Sequence, residues 1–483
     1  MQKKSIKVNT ILNIIKTCSS IIFPLITFPY VSRVLQPESI GKVNFGTSYV
    51  SYFSLIASLG VATYAIRECS KVRDNKEQLN KKASQIYSIN TCTTIVAYVL
   101  LALSLVFFRK VDSYRTLITI QSLTIAFTTI GADWINSAME DFAYITIRTI
   151  VFQVLSLLLI FIFVRKPEDY IIYAIITVIS SSGANLMNYF YRKKYCTIKF
   201  RKDMEWKRHF APIFYLFVMI LAQTIFSNAD TTMLGLMRSD HEVGIYSTAV
   251  KMLNLIAQIV SSIAWVLMPR LSKYFAEADY QKINGLLKKA LSTLLTIGIP
   301  CAIGAMCMSE DIVLLIAGDE YAGADTVLSI LMISLLFSFV GGSFLGNLVL
   351  LPSQKEKAYM IICCVAAVFN VVANFILIPK FGVNGASATT AASSFLIMIL
   401  LIFSVDKRIC LRSMLKVAVA PFLGALAIVA TCTVLKSLIS NSFMELIVCV
   451  VASAMVYFVI QVRLKNTIVT EIIGTVMSKV RKK

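Results

Sequence analysis

The sequence predicts an all-α protein that crosses a lipid bilayer about fourteen times. Its 483 residues are 57% apolar and only 15% charged, and their mean hydropathy is +0.75. Apolar stretches follow one another from Ile11 to Val462 with short polar loops between them. Each has about the 20 residues that an α-helix needs to cross a hydrocarbon core of about 30 Å. The sequence therefore predicts a polytopic membrane protein without a soluble domain.

The predicted spans are the apolar segments of sufficient length between polar loops. They lie at residues 9–32, 43–66, 84–108, 115–138, 143–164, 170–191, 211–235, 244–268, 287–308, 326–351, 358–378, 384–405, 414–435 and 443–462. The first span has no small-residue cleavage site and is followed by further spans. We therefore expect it to be retained rather than removed as a signal peptide.

The long basic loop at residues 192–208 predicts a hinge between two six-helix lobes. We expect an N-terminal lobe at 1–205, a C-terminal lobe at 206–408, and an appended helix pair with a tail at 409–483. Shifting the second half back by 203 positions aligns Gly244 with Gly41 and Arg270 with Arg67. This correspondence indicates a parallel repeat about an axis along the membrane normal, with a cavity between its halves.

The positive charge is concentrated in the loops and ends that are predicted to lie in the cytoplasm. The formal net charge is +21, and 35 of the 47 Lys and Arg residues fall in loops and ends assigned to the cytoplasm, against 10 in outer loops. This bias predicts an even number of spans with both termini in the cytoplasm. We therefore interpret the basic excess as orientation and contact with anionic membrane lipids, not as a nucleic-acid-binding surface.

The sequence shows no pattern typical of a cofactor site, a metal site or an enzyme. The eleven cysteines form no Cys-x-x-Cys pair, and the two histidines lie far apart in the sequence. A P-loop is absent, the predicted outer loops are short, and no acid/base pair is recognisable. We predict no cofactor, no metal and no catalytic residue. A purely structural scaffold would leave the cations within the spans unexplained.

Several short motifs resemble those of Wzx-type polysaccharide biosynthesis flippases. They are Phe23-Pro24-Leu25-Ile26-Thr27-Phe28-Pro29-Tyr30-Val31-Ser32-Arg33-Val34-Leu35 with Ile40-Gly41, Tyr64-x-x-Arg67-Glu68 with Arg73-Asp74, Asp133-Trp134 with Glu140, Phe142, Tyr144 and Arg148, and Leu234-Gly235 with Val243-Gly244-Ile245-Tyr246-Ser247. These motifs cover spans 1–8, and the number of spans extends the likeness to the rest of the chain.

The resemblance implies membership of the multidrug/oligosaccharidyl-lipid/polysaccharide (MOP) exporter superfamily. Such proteins form two helical lobes around a central cavity that opens alternately to either side of the bacterial cytoplasmic membrane. The implied cargo is an oligosaccharide repeat unit of a capsule, O-antigen or exopolysaccharide, linked to undecaprenyl diphosphate. Glycosyltransferases and a polysaccharide polymerase are the implied partners.

A sugar chain with a diphosphate cannot cross hydrocarbon unaided, because buried charge and unsatisfied hydroxyl groups there cost several kcal/mol or more. Cations lining a wet cavity would remove that barrier. The candidate substrate-binding cations are Lys16, Lys251, Arg33, Arg67, Arg270 and Arg148. The alternatives are snorkelling for the two lysines, topology anchors for the boundary arginines, and simple pairing of Arg148 with Glu140 or Asp141.

Other polar or helix-breaking residues have two interpretations each. Asp133 and Asp230 could bind a coupling H⁺ or Na⁺, or neutralise a cation of the spans. Pro24 and Pro29 predict either a gating bend or a static kink in the first span. A stripe at three- and four-residue spacing favours close helix packing over cavity lining. It consists of Thr47, Ser51, Ser54 and Ser58.

Two other transport functions are compatible with the sequence. One is a cation-coupled multidrug antiporter of the same superfamily, which is disfavoured because span 1 contains Lys16 and no carboxylate. The other is a flippase for a teichoic-acid or peptidoglycan lipid precursor. A polysaccharide polymerase or ligase would require a large extracytoplasmic loop, which the sequence does not provide.

Overall fold

The computed structural model describes residues 6–201, 203–439 and 442–480, which form helices and no β-strand. This confirms the predicted all-α class. The first helices are α1 Ile6–Ser58, α2 Val61–Ser70, α3 Lys76–Phe107, α4 Arg115–Gly131, α5 Trp134–Ala138, α6 Phe142–Phe163, α7 Tyr170–Val178, α8 Ala184–Tyr191 and α9 Trp206–Met237. They are followed by α10 Asp240–Ala276, α11 Tyr280–Cys307, α12 Ser309–Ile316, α13 Ala324–Ser338, α14 Glu356–Ser404, α15 Leu411–Met414, α16 Val419–Lys436, α17 Ser442–Arg463 and α18 Thr467–Val480.

The helices pack into two compact units, Met1–Gly244 and Ile245–Lys483. In the first unit, α1 packs against α3, α4, α6, α7 and α9. In the second, α11 packs against α13 and α16, and α16 packs against α17. The predicted division into lobes at 1–205 and 206–408 with a terminal pair stays a prediction.

In the described ranges, ten helical segments are long and apolar enough to cross a membrane. Two of them, Ile15–Ser70 and Glu356–Ser404, each overlap two predicted spans. The predicted spans 115–138 and 244–268 are absent from the ten but coincide with α4–α5 and with α10. The protein is thus a multi-pass membrane protein, while fourteen crossings and the orientation of the termini stay predictions.

The two longest helices, α1 and α14, are each broken within a loop that the sequence predicts. The α1 backbone leaves helical torsions at Gln36 (φ 61°), directly before Pro37, and α14 does so at Gly382 (φ 54°). Proline disfavours a helical conformation of the preceding residue, and glycine tolerates positive φ. Pro24 and Pro29 keep helical torsions, so the sharp break in α1 lies after both of them.

Lipid-facing surface is evident on single helices. In α3, Val99, Leu103 and Phe107 are half to three-quarters exposed, at a spacing of four residues. The opposite side of the same helix buries Thr94, Ala97 and Leu101 against neighbouring helices. A helix with an exposed apolar face is expected where the solvent is hydrocarbon rather than water.

The loop predicted to be a hinge is partly anchored. The backbone amides of Thr197, Lys199 and Arg201 donate hydrogen bonds to side-chain oxygens of α3, with N···O distances of 2.8, 3.1 and 2.8 Å. The acceptors are Asn80, Ser84 and Ser88. Two residues of extended chain and four residues of helix both advance by about 6 Å, which explains the matched register. This part of the loop therefore lies along α3.

Candidate functional site

A cavity of about 640 Å³ lies inside the unit Met1–Gly244. Its wall combines apolar side chains with polar ones, contributed by α1, α2, α3, α4, α5, α7 and α9 and by the chain that follows α4 and α7. The polar lining residues are Thr47, Ser51, Ser54, Ser58, Asn90, Gln121, Thr124, Thr128, Thr129, Asp133, Trp134, Thr177, Ser181, Thr224 and Asn228. Among the lining residues that the structure describes, none is a Lys or Arg.

The local sequence explains two sides of this wall. Residues three and four apart lie on one face of a helix, so Thr47, Ser51, Ser54 and Ser58 form one polar stripe on α1. All four line the cavity. The second interpretation of this stripe, cavity lining, is therefore confirmed, and Thr47 also joins α1 to α4 through Gln121.

A second stripe on α4, which the sequence analysis missed, faces the same cavity. It comprises Gln121, Thr124 and Thr128, again at three- and four-residue spacing. This periodicity was visible in the sequence. It stood within an apolar span, however, where hydroxyl groups are common because they can bond to their own helix.

Most of the hydroxyl protons of this wall are donated to the helix backbone. Thr47 donates to Val43 O at 2.9 Å, and Ser51 donates to Ser48 O at 2.6 Å. The oxygen lone pairs of such groups remain available as acceptors. Gln121 links α4 to α1 by donating to Val43 O at 2.9 Å and to Thr47 Oγ1 at 3.0 Å. The polar groups of this wall are therefore mainly hydrogen-bond acceptors toward the cavity.

Two buried polar atoms of lining residues have no hydrogen-bond partner among the described protein atoms. They are Trp134 Nε1, a donor, and Gln121 Oε1, an acceptor. Trp134 and Gln121 are 6% and 4% exposed. Buried polar groups are normally paired with protein or water. Both atoms are enclosed by protein, so neither is accessible from the cavity in this structure.

Asp133 is the one charged residue among the described residues of the cavity wall, and it forms an ion pair with Arg148 of α6. Arg148 Nη2 lies 2.6 Å from Asp133 Oδ1, and the guanidinium carbon lies 5.3 Å from the centre of the Tyr144 ring. Asp133 occupies the break between α4 and α5, where Ala132 has φ 48°. This break directs the carboxylate toward α6.

The expected alternative pairing of Arg148 with Glu140 or Asp141 was wrong. Glu140 accepts a hydrogen bond from Arg73 at 2.6 Å, and Asp141 accepts from the hydroxyl groups of Tyr191 and Tyr195. Both acidic residues shortly precede Arg148 in the sequence, but they lie before the start of α6 and bind other side chains. Proximity in sequence was a poor guide here.

Of the eight predicted charged site residues, Asp133 lines this cavity and Arg148 is paired with it. The other six are described residues that do not line it. Arg33, Arg67 and Arg270 are exposed, Lys16 and Lys251 are partly buried, and Asp230 is buried in α9. Whether these residues bind a ligand stays a prediction.

Backbones approach each other closely where α1 resumes after Gln36. A Cβ atom added to Gly41 would lie 1.8 Å from Asp240 O, and one added to Gly244 would lie 1.9 Å from Pro37 O. Positions 37 and 240, like 41 and 244, differ by the 203 residues of the predicted repeat. The contact therefore joins positions that the repeat makes equivalent, and only glycine fits at two of them.

Long helices with lipid-facing surfaces and an internal cavity are typical of a multi-pass α-helical membrane transport protein. The family model described as "Polysaccharide biosynthesis protein" matches residues 6–275, more than half of the chain. The chain belongs to this family, and the resemblance to Wzx-type members of the MOP superfamily is confirmed. A second family model, MatE, matches residues 216–376. These families contain membrane transporters, in agreement with the prediction that the protein is not an enzyme.

Several known proteins are similar to this chain. A capsular polysaccharide biosynthesis protein, CapF of Staphylococcus aureus, is 24% identical over 76% of this chain and 91% of its own length. A putative O-antigen transporter of Escherichia coli K12 is 22% identical over 83% of this chain and 97% of its own length. A "probable low-salt glycan biosynthesis flippase", Agl15 of Haloferax volcanii, is 25% identical over 37% of this chain and 38% of its own length.

Solved structures show the same fold. The lipid II flippase MurJ in an inward closed conformation has a TM-score of 0.75 and 16% identity, covering 95% of this chain and 99% of MurJ. An inward-facing multidrug resistance transporter of the MATE family, also of the MOP superfamily, has a TM-score of 0.61 and 14% identity, covering 86% and 97%. At these identities, the likeness concerns the fold alone.

Proposed function

We propose that this protein moves a lipid-linked oligosaccharide precursor of a cell-surface polysaccharide across the bacterial cytoplasmic membrane, from the inner to the outer leaflet. The family match over residues 6–275 carries this proposal. The names of the relatives, a capsular biosynthesis protein, an O-antigen transporter and a glycan flippase, support the same class of cargo.

The cavity supports a polar cargo. Sugar hydroxyl groups lose their hydrogen bonds to water on entering hydrocarbon, and each unsatisfied group is costly. A wall of hydroxyl, amide and carboxylate oxygens replaces those bonds. The lipid tail of the cargo has no such need and can remain in the bilayer.

In finer detail, the proposed carrier is undecaprenyl diphosphate. The diphosphate would be bound by cations outside the cavity, with Lys16 and Lys251 as the main candidates and Arg33, Arg67 and Arg270 as further ones. Glycosyltransferases would supply the repeat unit and a polymerase would consume it. Coupling to H⁺ or Na⁺ belongs to the same proposal.

A cation-coupled multidrug antiporter is the second candidate, and the match of residues 216–376 to the MatE model favours it. A flippase for a teichoic-acid or peptidoglycan precursor is a third. Loss of the protein has a different consequence under each alternative. A toxic organic cation would accumulate if the protein is the antiporter, and a different lipid-linked precursor would accumulate if it is the teichoic-acid or peptidoglycan flippase.

Depletion of the protein is expected to trap lipid-linked repeat units in the inner leaflet and to abolish surface polysaccharide. Re-expression should restore both. The measurement is mass spectrometry of extracted carrier lipids, together with immunodetection of surface polymer. Unchanged carrier pools with altered sensitivity to cationic drugs would replace this proposal by the antiporter. Accumulation of a wall precursor would replace it by the third candidate.

The Lys16→Ala, Lys251→Ala double variant is expected to lose surface polysaccharide while its protein level stays normal. Both side chains are partly buried in long apolar helices, where an ionisable group normally faces a cavity or a partner. The matched control is Lys273→Ala, Lys282→Ala, which removes two exposed lysines in surface ion pairs of little energetic weight. Normal polymer in the first variant would contradict the assignment of these lysines.

A further inference from the structure

We infer that the cavity of the unit Met1–Gly244 receives an uncharged saccharide unit of the cargo and disfavours acidic sugars. Asp133 would accept hydrogen bonds from the sugar, and Arg148 would act as the positioning residue for Asp133. The inference rests on the proposed function and specifies the part of the cargo that this cavity takes.

The first argument is the direction of the Asp133–Arg148 ion pair. The Asp133 side chain is 35% exposed and lines the cavity, whereas the Arg148 side chain is 6% exposed. Arg148 is enclosed by the Tyr144 ring and the Ala184 carbonyl, which accepts from Nη1 at 3.4 Å. A ligand in the cavity therefore meets the negative end of the pair and not the positive end.

The second argument is the excess of acceptors over donors in the wall. The hydroxyl protons of Thr47 and Ser51, like that of Thr124, are donated to backbone carbonyls. A neutral sugar offers a hydrogen-bond donor on each hydroxyl group, which complements such a wall. A sugar carboxylate or a phosphate offers acceptors only and adds a negative charge.

The third argument is that like charges repel more strongly in a cavity shielded from water than in bulk solvent. An acidic sugar beside Asp133 would therefore lose affinity relative to its neutral counterpart. No Lys or Arg is found among the lining residues that the structure describes, and the Arg148 that pairs with Asp133 is itself shielded from the cavity. The diphosphate of the cargo must accordingly bind elsewhere in the protein.

The size of the cavity agrees with a saccharide. Its volume of about 640 Å³ lies within the roughly 300–1,000 Å³ typical of small-molecule sites. Within this space the Asp133 carboxylate, whose side chain is 35% exposed, is available to accept hydrogen bonds from sugar hydroxyl groups.

The test uses Trp134 as a reporter in purified full-length protein. Trp206→Phe, Trp265→Phe leaves Trp134 as the sole tryptophan of the three in the chain. Its fluorescence is titrated with glucose and with glucuronate, which differ only in oxidation at C6. We expect glucose to bind at least about tenfold more tightly than glucuronate, because of charge repulsion at Asp133.

Variants then assign the discrimination to the ion pair. Asp133→Asn, Arg148→Gln in the single-tryptophan protein should reduce the preference to about twofold or less, and Asp133→Glu should retain it. The control Arg73→Gln, Glu140→Gln removes another 2.6 Å ion pair of the same unit and should leave the preference intact. Thermal unfolding of each variant checks that it is folded.

Equal or tighter binding of glucuronate, no response to glucose, or a preference unchanged in Asp133→Asn, Arg148→Gln would overturn the inference. The depletion experiment separates this failure from failure of the proposed function. Trapped lipid-linked repeat units together with indiscriminate sugar binding would remove only the role assigned to this cavity.

Discussion

A Gly41→Ala variant is expected to lose most of its free energy of unfolding, and cells that express it should show no detectable surface polysaccharide. The added Cβ would lie 1.8 Å from Asp240 O and 2.7 Å from Asp240 C, distances that no side-chain rotation can relieve because both atoms belong to the backbone. Overpacking typically costs about 1–3 kcal/mol, and we expect the upper end here. Gly244→Ala should behave alike, since its Cβ would meet Pro37 O at 1.9 Å.

Thermal unfolding in detergent and surface polymer in cells measure the two effects. Gly285→Ala and Gly342→Ala are the matched controls, because a Cβ at either position has no heavy atom within 4 Å. Alanine in the helical position Gly285 should be neutral or stabilising by up to about 1 kcal/mol. A Gly41→Ala protein as stable and active as the controls would show that α1 and α10 do not need their close approach.

The second large effect is an asymmetry between the two partners of the cavity ion pair. Asp133→Asn leaves the nearly enclosed Arg148 without its counter-charge, and breaking a buried pair in this way costs about 3–5 kcal/mol. Arg148→Gln leaves Asp133, which is more exposed and can be hydrated, so we expect a smaller loss of about 1–3 kcal/mol. The double variant should be more stable than Asp133→Asn alone.

Thermal unfolding of the two single variants and the double variant forms a double-mutant cycle that isolates the coupling between the two residues. Losses that simply add up, or a larger loss for Arg148→Gln than for Asp133→Asn, would contradict the geometry described for the pair. The same cycle on Arg73 and Glu140, whose side chains are 36% and 47% exposed, should give a coupling below about 1 kcal/mol.

Much of the helical framework was predictable from local sequence. The break at Gly382 falls in the predicted gap between spans 358–378 and 384–405, and that at Gln36 falls between spans 9–32 and 43–66. Pro24 and Pro29 were the more conspicuous helix breakers. Gln36 is less conspicuous, because the effect of Pro37 falls on the residue before it.

The candidate site was predicted less well. Asp133 and Arg148 were both recognised, but their pairing was not, because they stand on opposite sides of a break that turns the chain at Glu140 (φ 55°). The stripe on α1 was recognised and assigned mainly to helix packing. Helical spacing tells which residues share a face, but not whether that face meets another helix or a cavity.

The sequence by itself determined the class of the protein and the positions of its helices. Backbone groups in hydrocarbon must form hydrogen bonds within their own segment, so an apolar stretch of sufficient length has little choice but to be helical. The tertiary structure alone decided which polar faces converge on one cavity and which charges meet. Asp133 and Arg148, or Gly41 and Asp240, come together only when separate helices pack, and that packing depends on the shapes of all the surrounding side chains.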